Sequence, residues 1–188
     1  MTTDLMEDIE NTNDQFETII MLCKEVFMSK MRDYGSSWRV LRPSSLTDQI
    51  YIKANRIRSI EAKGQQKIDE GIKPEYIGVV NYSVIALIQI ELDSGKDLDL
   101  GIEETERLYD KYINKAKDLM LDKNHDYGEA WRNMRLSSLT DIILMKLKRI
   151  KQIEDNAGKT FVSEGIDSNY YDIINYSVFA LIKIVSSE

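Results

Sequence analysis

The chain has 188 residues, 43% of them apolar and 30% charged, which is globular composition and excludes a disordered chain. With 2 Pro and 9 Gly, and Lys, Glu, Ile and Leu in abundance, helices are favoured over a loop-rich β-sandwich. The net charge is −7 and neither half is basic, which argues against double-stranded nucleic acid as a partner. In chain order, a first helix, A, carries Phe16, Ile19, Ile20, Cys23 and Phe27 on one face. It ends near Asp33-Tyr34-Gly35, where Gly supplies a left-handed cap. Helix B runs from a capping-box-like Ser45-Leu46-Thr47-Asp48 to Glu61. Helix C begins near Pro74, a residue suited to a first turn, and runs to Ile90. A polar stretch follows, and then the same three elements return.

The return is an internal repeat. The segment from Asp33 to Glu61 aligns with that from Asp126 to Glu154, 17 of 29 positions being identical. After a one-residue length change, Glu70–Ile90 aligns with Glu164–Ile184, with 12 of 21 identical. Helix A of the second copy carries Tyr112, Ile113, Ala116, Leu119 and Met120. The expected organisation is therefore a first unit at residues 1–93, a linker at 94–100 and a second unit at 101–188. Three helices bury little core alone, so the expectation is an all-α protein with both units packed as one helical globule. Cys23 reads as a small core residue, since a lone cysteine forms no internal disulfide. The apolar stretches are short and interrupted and the N-terminus is acidic. No transmembrane helix, no secretory signal, no membrane partner and a cytosolic location are expected.

The informative residues break the helical pattern. On a wheel of helix B, Lys53 sits among Leu46, Ile50, Ile57 and Ile60, and Lys146 among Leu139, Ile143, Ile150 and Ile153. Arg56 and Arg149 lie one turn on, at the edge of the same stripe. On helix C, Asn81 and Asn175 occupy the apolar face, and Asp172 lies one turn before Asn175. The first unit has Gly78 where the second has Asp172. Charged groups on an apolar face need partners, and two readings follow. In one, the groups satisfy each other: Lys146 pairs with Asp172, and Asn175 meets backbone. In the other, a pocket between helices B and C takes a phosphate on its Lys and Arg, while Asp172 and the loop residue Glu164 hold Mg²⁺.

Other repeated groups weigh less. Asp48 and Asp141 read as helix-capping residues, and Asp33 and Asp126 head a turn in which Asp bonds its own backbone. Trp38 and Trp131, each followed by an Arg (Arg39, Arg132), suit either stacking on a base or packing between units. His125, the single histidine, matches Arg32 and is not expected to be catalytic. Nucleophilic triads, P-loops, dinucleotide Gly motifs and Cys/His zinc spacings are missing from the sequence.

Lys123-Asn124-x-Asp126-Tyr127-Gly128, Trp131, Ser138-Leu139-Thr140-Asp141, Lys146-x-x-Arg149, Glu164 and Asp172-x-x-Asn175-Tyr176 together resemble the first nucleotide modification associated domain family of bacteria and phages. The resemblance covers each repeat almost entirely. The first unit departs from it at Met31-Arg32 and at Gly78. It implies a place in nucleotide or modified-nucleotide metabolism without naming a reaction. A weaker likeness is to all-α nucleoside triphosphate pyrophosphohydrolases, which hold Mg²⁺ with paired acids; helix B here offers Lys and Arg where a second acidic pair belongs. The leading expectation is a protein binding a nucleotide or its phosphates, through Lys146, Arg149, Asn175, Lys53, Arg56, Asn81, Asp126 and Trp131. Mg²⁺-dependent hydrolysis at Asp172 and Glu164 is an extension of that reading. The alternative is a non-catalytic helical scaffold with a structural polar interior. Catalysis and homo-oligomerisation stay open.

Overall fold

The computed structural model describes residues 2–63, 71–160 and 165–187. Its six helices are α1 (Thr2–Tyr34), α2 (Pro43–Lys63), α3 (Lys73–Leu92), α4 (Ile102–Tyr127), α5 (Leu136–Asp155) and α6 (Ile166–Val185), and among the described residues there is no strand. Short 3-10 turns, Ser37–Val40 and Ala130–Asn133, follow α1 and α4. Helices A, B and C of the two units are thus α1–α3 and α4–α6. Gly35 and Gly128 end α1 and α4 at φ +59° and +60°, the left-handed region that glycine enters without a side-chain penalty. The Gly35 amide donates back to the Met31 carbonyl at 2.9 Å.

Helices α3 and α6 lie against each other at the centre. Helices α2 and α5 meet on one side of them, and α1 and α4 on the other. One contiguous core runs through both units, and Cys23 is fully buried within it, its thiol pushed up to about 12 by burial. The central helices are apolar nearly all round, as helices enclosed on several sides must be. Contrary to the sequence expectation, α3 is long and apolar enough to span a bilayer by length and composition. It is buried against α6 and α2, so its apolar surface is that of a core helix.

Helices α2 and α5 begin two residues before the expected serines. Pro43 and Leu136 take the first helical position, and Asp48 and Asp141 fall beyond the first turn. Neither caps. Asp48 instead pairs with Lys151 at 2.6 Å, and Asp141 lies 3.8 Å from Arg58. Both are ion pairs between units, at equivalent positions.

A buried polar network does the same with better geometry. Thr140 donates to Glu61 at 2.9 Å and lies 2.6 Å from the Tyr76 hydroxyl. Reciprocally, Thr47 donates to Glu154 at 2.8 Å and lies 2.7 Å from the Tyr170 hydroxyl. Each threonine comes from one unit and its Glu and Tyr from the other, so a Tyr–Thr–Glu chain crosses the interface twice. Burial pushes the carboxyls of Glu61 and Glu154 up, against the lowering effect of the threonine hydrogen bonds. The linker is fastened too. Arg39, fully buried, donates to Gln89, to the Asp97 carbonyl at 3.2 Å, to the Asp93 carbonyl at 3.1 Å and to the Lys96 carbonyl. This arginine anchors the linker rather than stacking on a base.

The shared core and the crossed network lead to two expectations. Thr140→Val strands the Glu61 carboxyl and the Tyr76 hydroxyl, and urea unfolding should show a loss of about 1–3 kcal/mol in a single cooperative transition. Two separate transitions would contradict one shared core. The second concerns pH. Carboxyls whose folded pKa is raised oppose folding at neutral pH, and that penalty is relieved as pH falls through the raised value. A Glu61→Gln/Glu154→Gln double variant should therefore gain most over wild type near pH 7, and the gain should shrink toward pH 5 in a urea series.

Candidate functional site

The two lysines of the helix B stripe meet acids, by different routes. In the second unit, Lys146 donates to Asp172 Oδ2 at 2.6 Å and Lys123 donates to Oδ1 at 2.5 Å. Asp172 is held between two ammonium groups, with its side chain 6% exposed and that of Lys146 12% exposed. In the first unit, the acid is Glu75, one turn earlier on helix C. It accepts from Arg56 at 2.6 Å and lies 3.5 Å from Lys53. The first unit therefore has not lost its acid at Gly78; the acid stands elsewhere.

Glu75 is not legible from the helical face. It lies about 120° round the wheel from Asn81, outside the face of helix C that carries Asn81. The signal was in the alignment: Glu75 and Gly78 stand opposite Asn169 and Asp172, an exchange of the charged position by one turn. Gly78 then has a local reason. A Cβ on it would lie 2.8 Å from Lys53 Cδ and 2.9 Å from Cε, so the lysine stem lies across the glycine on its way toward Glu75.

Arg149 is exposed, with no ion-pair or hydrogen-bond partner among the described residues. It does not face inward as the wheel suggested, because a long side chain at the edge of a stripe carries its charge out to water. Both asparagines tie helix C to helix A. Asn81 donates to the Cys23 carbonyl at 3.0 Å and Asn175 to the Ala116 carbonyl at 2.9 Å. The Asn81 side-chain oxygen also accepts from the Tyr109 hydroxyl at 2.9 Å. Its counterpart on Asn175 is buried without a partner, and the residue equivalent to Tyr109 is Phe16, which has no hydroxyl to give. Asp126 sits on the surface beside His125 at 3.2 Å. Glu164 lies outside the described residues.

The tryptophans differ as the acids do. Trp131 is 5% exposed and stacked flat on Phe179, centroids 4.3 Å apart and planes within 2°. The Arg132 guanidinium lies 4.4 Å over the Trp131 ring. Trp38 is only half-buried and lines a cavity of about 370 Å³ between α1, α2 and α3. Ile85, equivalent to Phe179, also lines it, as do Lys30, Lys53, Gly78, Asn81 and Tyr82. The lining is mainly apolar, with two lysines and no acidic residue. Lys30 has no ion-pair or hydrogen-bond partner among the described residues, and the Lys53 ammonium lies 5.8 Å from the Tyr82 ring centroid.

Mg²⁺ does not fit the residues described. Both oxygens of Asp172 are engaged by ammonium groups. No three Asp, Glu, His or Cys side chains come together among the described residues, whereas Mg²⁺ needs an array of oxygen ligands.

Fold and site together define an all-α tandem-repeat protein. One repeat carries an open, mainly apolar cavity, and at the equivalent positions the other sets Asp172 between two lysines and Phe179 on Trp131. A family model, Nucleotide modification associated domain 1, matches residues 30–90 and 123–184. The chain belongs to that family, in two copies. No curated protein and no solved structure matches it.

The closed pair in the second unit carries its own expectation. Asp172→Asn leaves Lys146 without a counter-charge in a largely dry position, and such losses run about 3–5 kcal/mol. Urea unfolding should place this variant toward the lower end, since Lys123 reaches water. Glu75→Gln should be milder, because Lys53 and Arg56 are more exposed.

Proposed function

We propose that this protein binds a nucleotide in the cavity of its first unit, with the base against Trp38 and the phosphate at the lysines of the rim and wall. The reading is carried by one observation: the cavity combines a half-buried Trp38 with Lys30, a lysine that has no partner among the described residues. Its volume of about 370 Å³ lies within the range of small-ligand sites, which are mostly apolar with a few polar groups that orient the ligand. Membership of a nucleotide modification associated family supports the same class of ligand. Lys30 and Lys53 act as point charges toward phosphate. Tyr34 and Tyr82 add aromatic surface around the base.

The second unit supports the first by packing. Its own Lys–Asp–Lys set and Trp–Phe stack are closed, and this half of the molecule favours the scaffold reading. That reading leaves the first cavity and its lysine without a purpose. Hydrolysis through Mg²⁺ forms no part of the proposal, since the described residues do not assemble the ligands.

A panel of ribo- and deoxyribonucleotides, followed by thermal shift and tryptophan fluorescence, tests the reading. A nucleotide at about 100 times its Kd should stabilise the protein by about 2.7 kcal/mol and quench emission. The quenching should be lost in Trp38→Phe. If no nucleotide shifts the melting temperature or alters the emission, the proposal is wrong.

A further inference from the structure

The second unit shows what the first unit's cavity is shaped to hold. Lys30 corresponds to Lys123, Lys53 to Lys146, Gly78 to Asp172, Trp38 to Trp131 and Ile85 to Phe179. In the second unit one carboxylate sits between the two lysines, at 2.5 and 2.6 Å. One phenyl ring lies flat on the tryptophan. Both groups project from α6, seven residues apart, hence about 10 Å along the helix axis and on one face. The first unit has the same two lysines and the same tryptophan, but Gly78 and Ile85 supply neither the anion nor the ring.

We infer that the second unit is a self-filled copy of the first, and that the first takes a nucleoside monophosphate, its single phosphoryl group at the ammonium groups of Lys30 and Lys53 and its base on Trp38. This rests on the nucleotide reading above and narrows it. Asp172 marks the anion seat and Phe179 the base seat. A separation of about 10 Å spans a base, a sugar and one phosphate. The lining has two lysines, no arginine and no further cation. Lys53 shares Glu75 with Arg56, a set of net charge about +1, and together with Lys30 it matches a phosphate monoester of about −1.5 to −2 charge. A second and third phosphate would extend past them with no basic side chain of the lining to meet.

Isothermal titration of the full chain with the common nucleoside 5′-monophosphates, the matching triphosphates and inorganic phosphate tests this. At least one monophosphate should bind at one site per chain, no more weakly than its triphosphate and far more tightly than phosphate alone. Gly78→Asp, which puts the second unit's carboxylate beside Lys53 and displaces the lysine stem that lies on the glycine, should weaken it about tenfold or more, the loss expected for one charged contact. Lys30→Ala, an exposed position that should fold normally, should do the same. The converse transplant, Asn169→Glu/Asp172→Gly/Phe179→Ile, gives the second unit the first unit's acid and its open seats, and should raise the stoichiometry to two. Should this triple variant fail to fold by circular dichroism, the two first-unit variants decide the matter. Unchanged affinity in both, or triphosphates binding at least tenfold tighter, overturns the monophosphate seat and leaves nucleotide binding standing. Binding by no nucleotide overturns both.

Discussion

A lysine in the middle of an apolar helix face has to be met by negative charge, and the arrangement of both units follows from that demand. Removing an ammonium group from water is costly unless a carboxylate stands beside it. Helix B carries such a lysine in each unit, so helix C must bring an acid to it. The second unit does so with Asp172, which also takes Lys123 from helix A and draws all three helices together. The first unit does so with Glu75, one turn nearer the start of helix C, and Lys53 lies across Gly78 in its direction. The same requirement, satisfied one turn apart, leaves one unit closed and the other open.

The openness of the first unit is therefore a packing consequence. With the acid at Glu75, position 78 carries no side chain and the stem of Lys53 lies over it. With Ile85 in place of Phe179, no aromatic ring among the described residues stacks on Trp38. Two differences on one helix face, seven residues apart, distinguish the second unit's carboxylate and phenyl ring from the first unit's cavity of about 370 Å³. The second unit in turn gives its partner rigidity. The crossed Tyr–Thr–Glu chains and the shared core make α3 and α6 a common centre, and two walls of the cavity are built on α2 and α3, both of which pack against the second unit.

The identity of the acid in each unit shows how legibility varied along the chain. Asp172 was visible because it falls on the apolar face of helix C beside Asn175. Glu75 was hidden because it lies off that face and reaches its partners from the start of the helix. Arg149 looks like Arg56 on a wheel, but among the described residues only Arg56 is paired with an acid, Glu75, at the position where the second unit has Asn169. Arg39 and Arg132 look equivalent in sequence. One is buried holding the linker carbonyls, and the other lies on Trp131 and bonds Thr12 and Gln15 of α1. A repeat aligns residues, but it does not align their neighbours.

Composition, helical periodicity and the repeat were enough by themselves to determine an all-α chain of two three-helix units with polar groups on their inner faces. Those properties are local, set by the 3.6-residue period and by identities that a comparison of the two halves exposes. Which unit is open was decided only by tertiary structure. That depends on where a carboxylate one turn away can reach, and on whether a ring seven residues on covers a tryptophan. Sequence read in isolation pointed to the second unit, because it keeps its Asp. In three dimensions that Asp stands between two lysines, whereas at the equivalent glycine the stem of Lys53 lies across the place where such a side chain would stand.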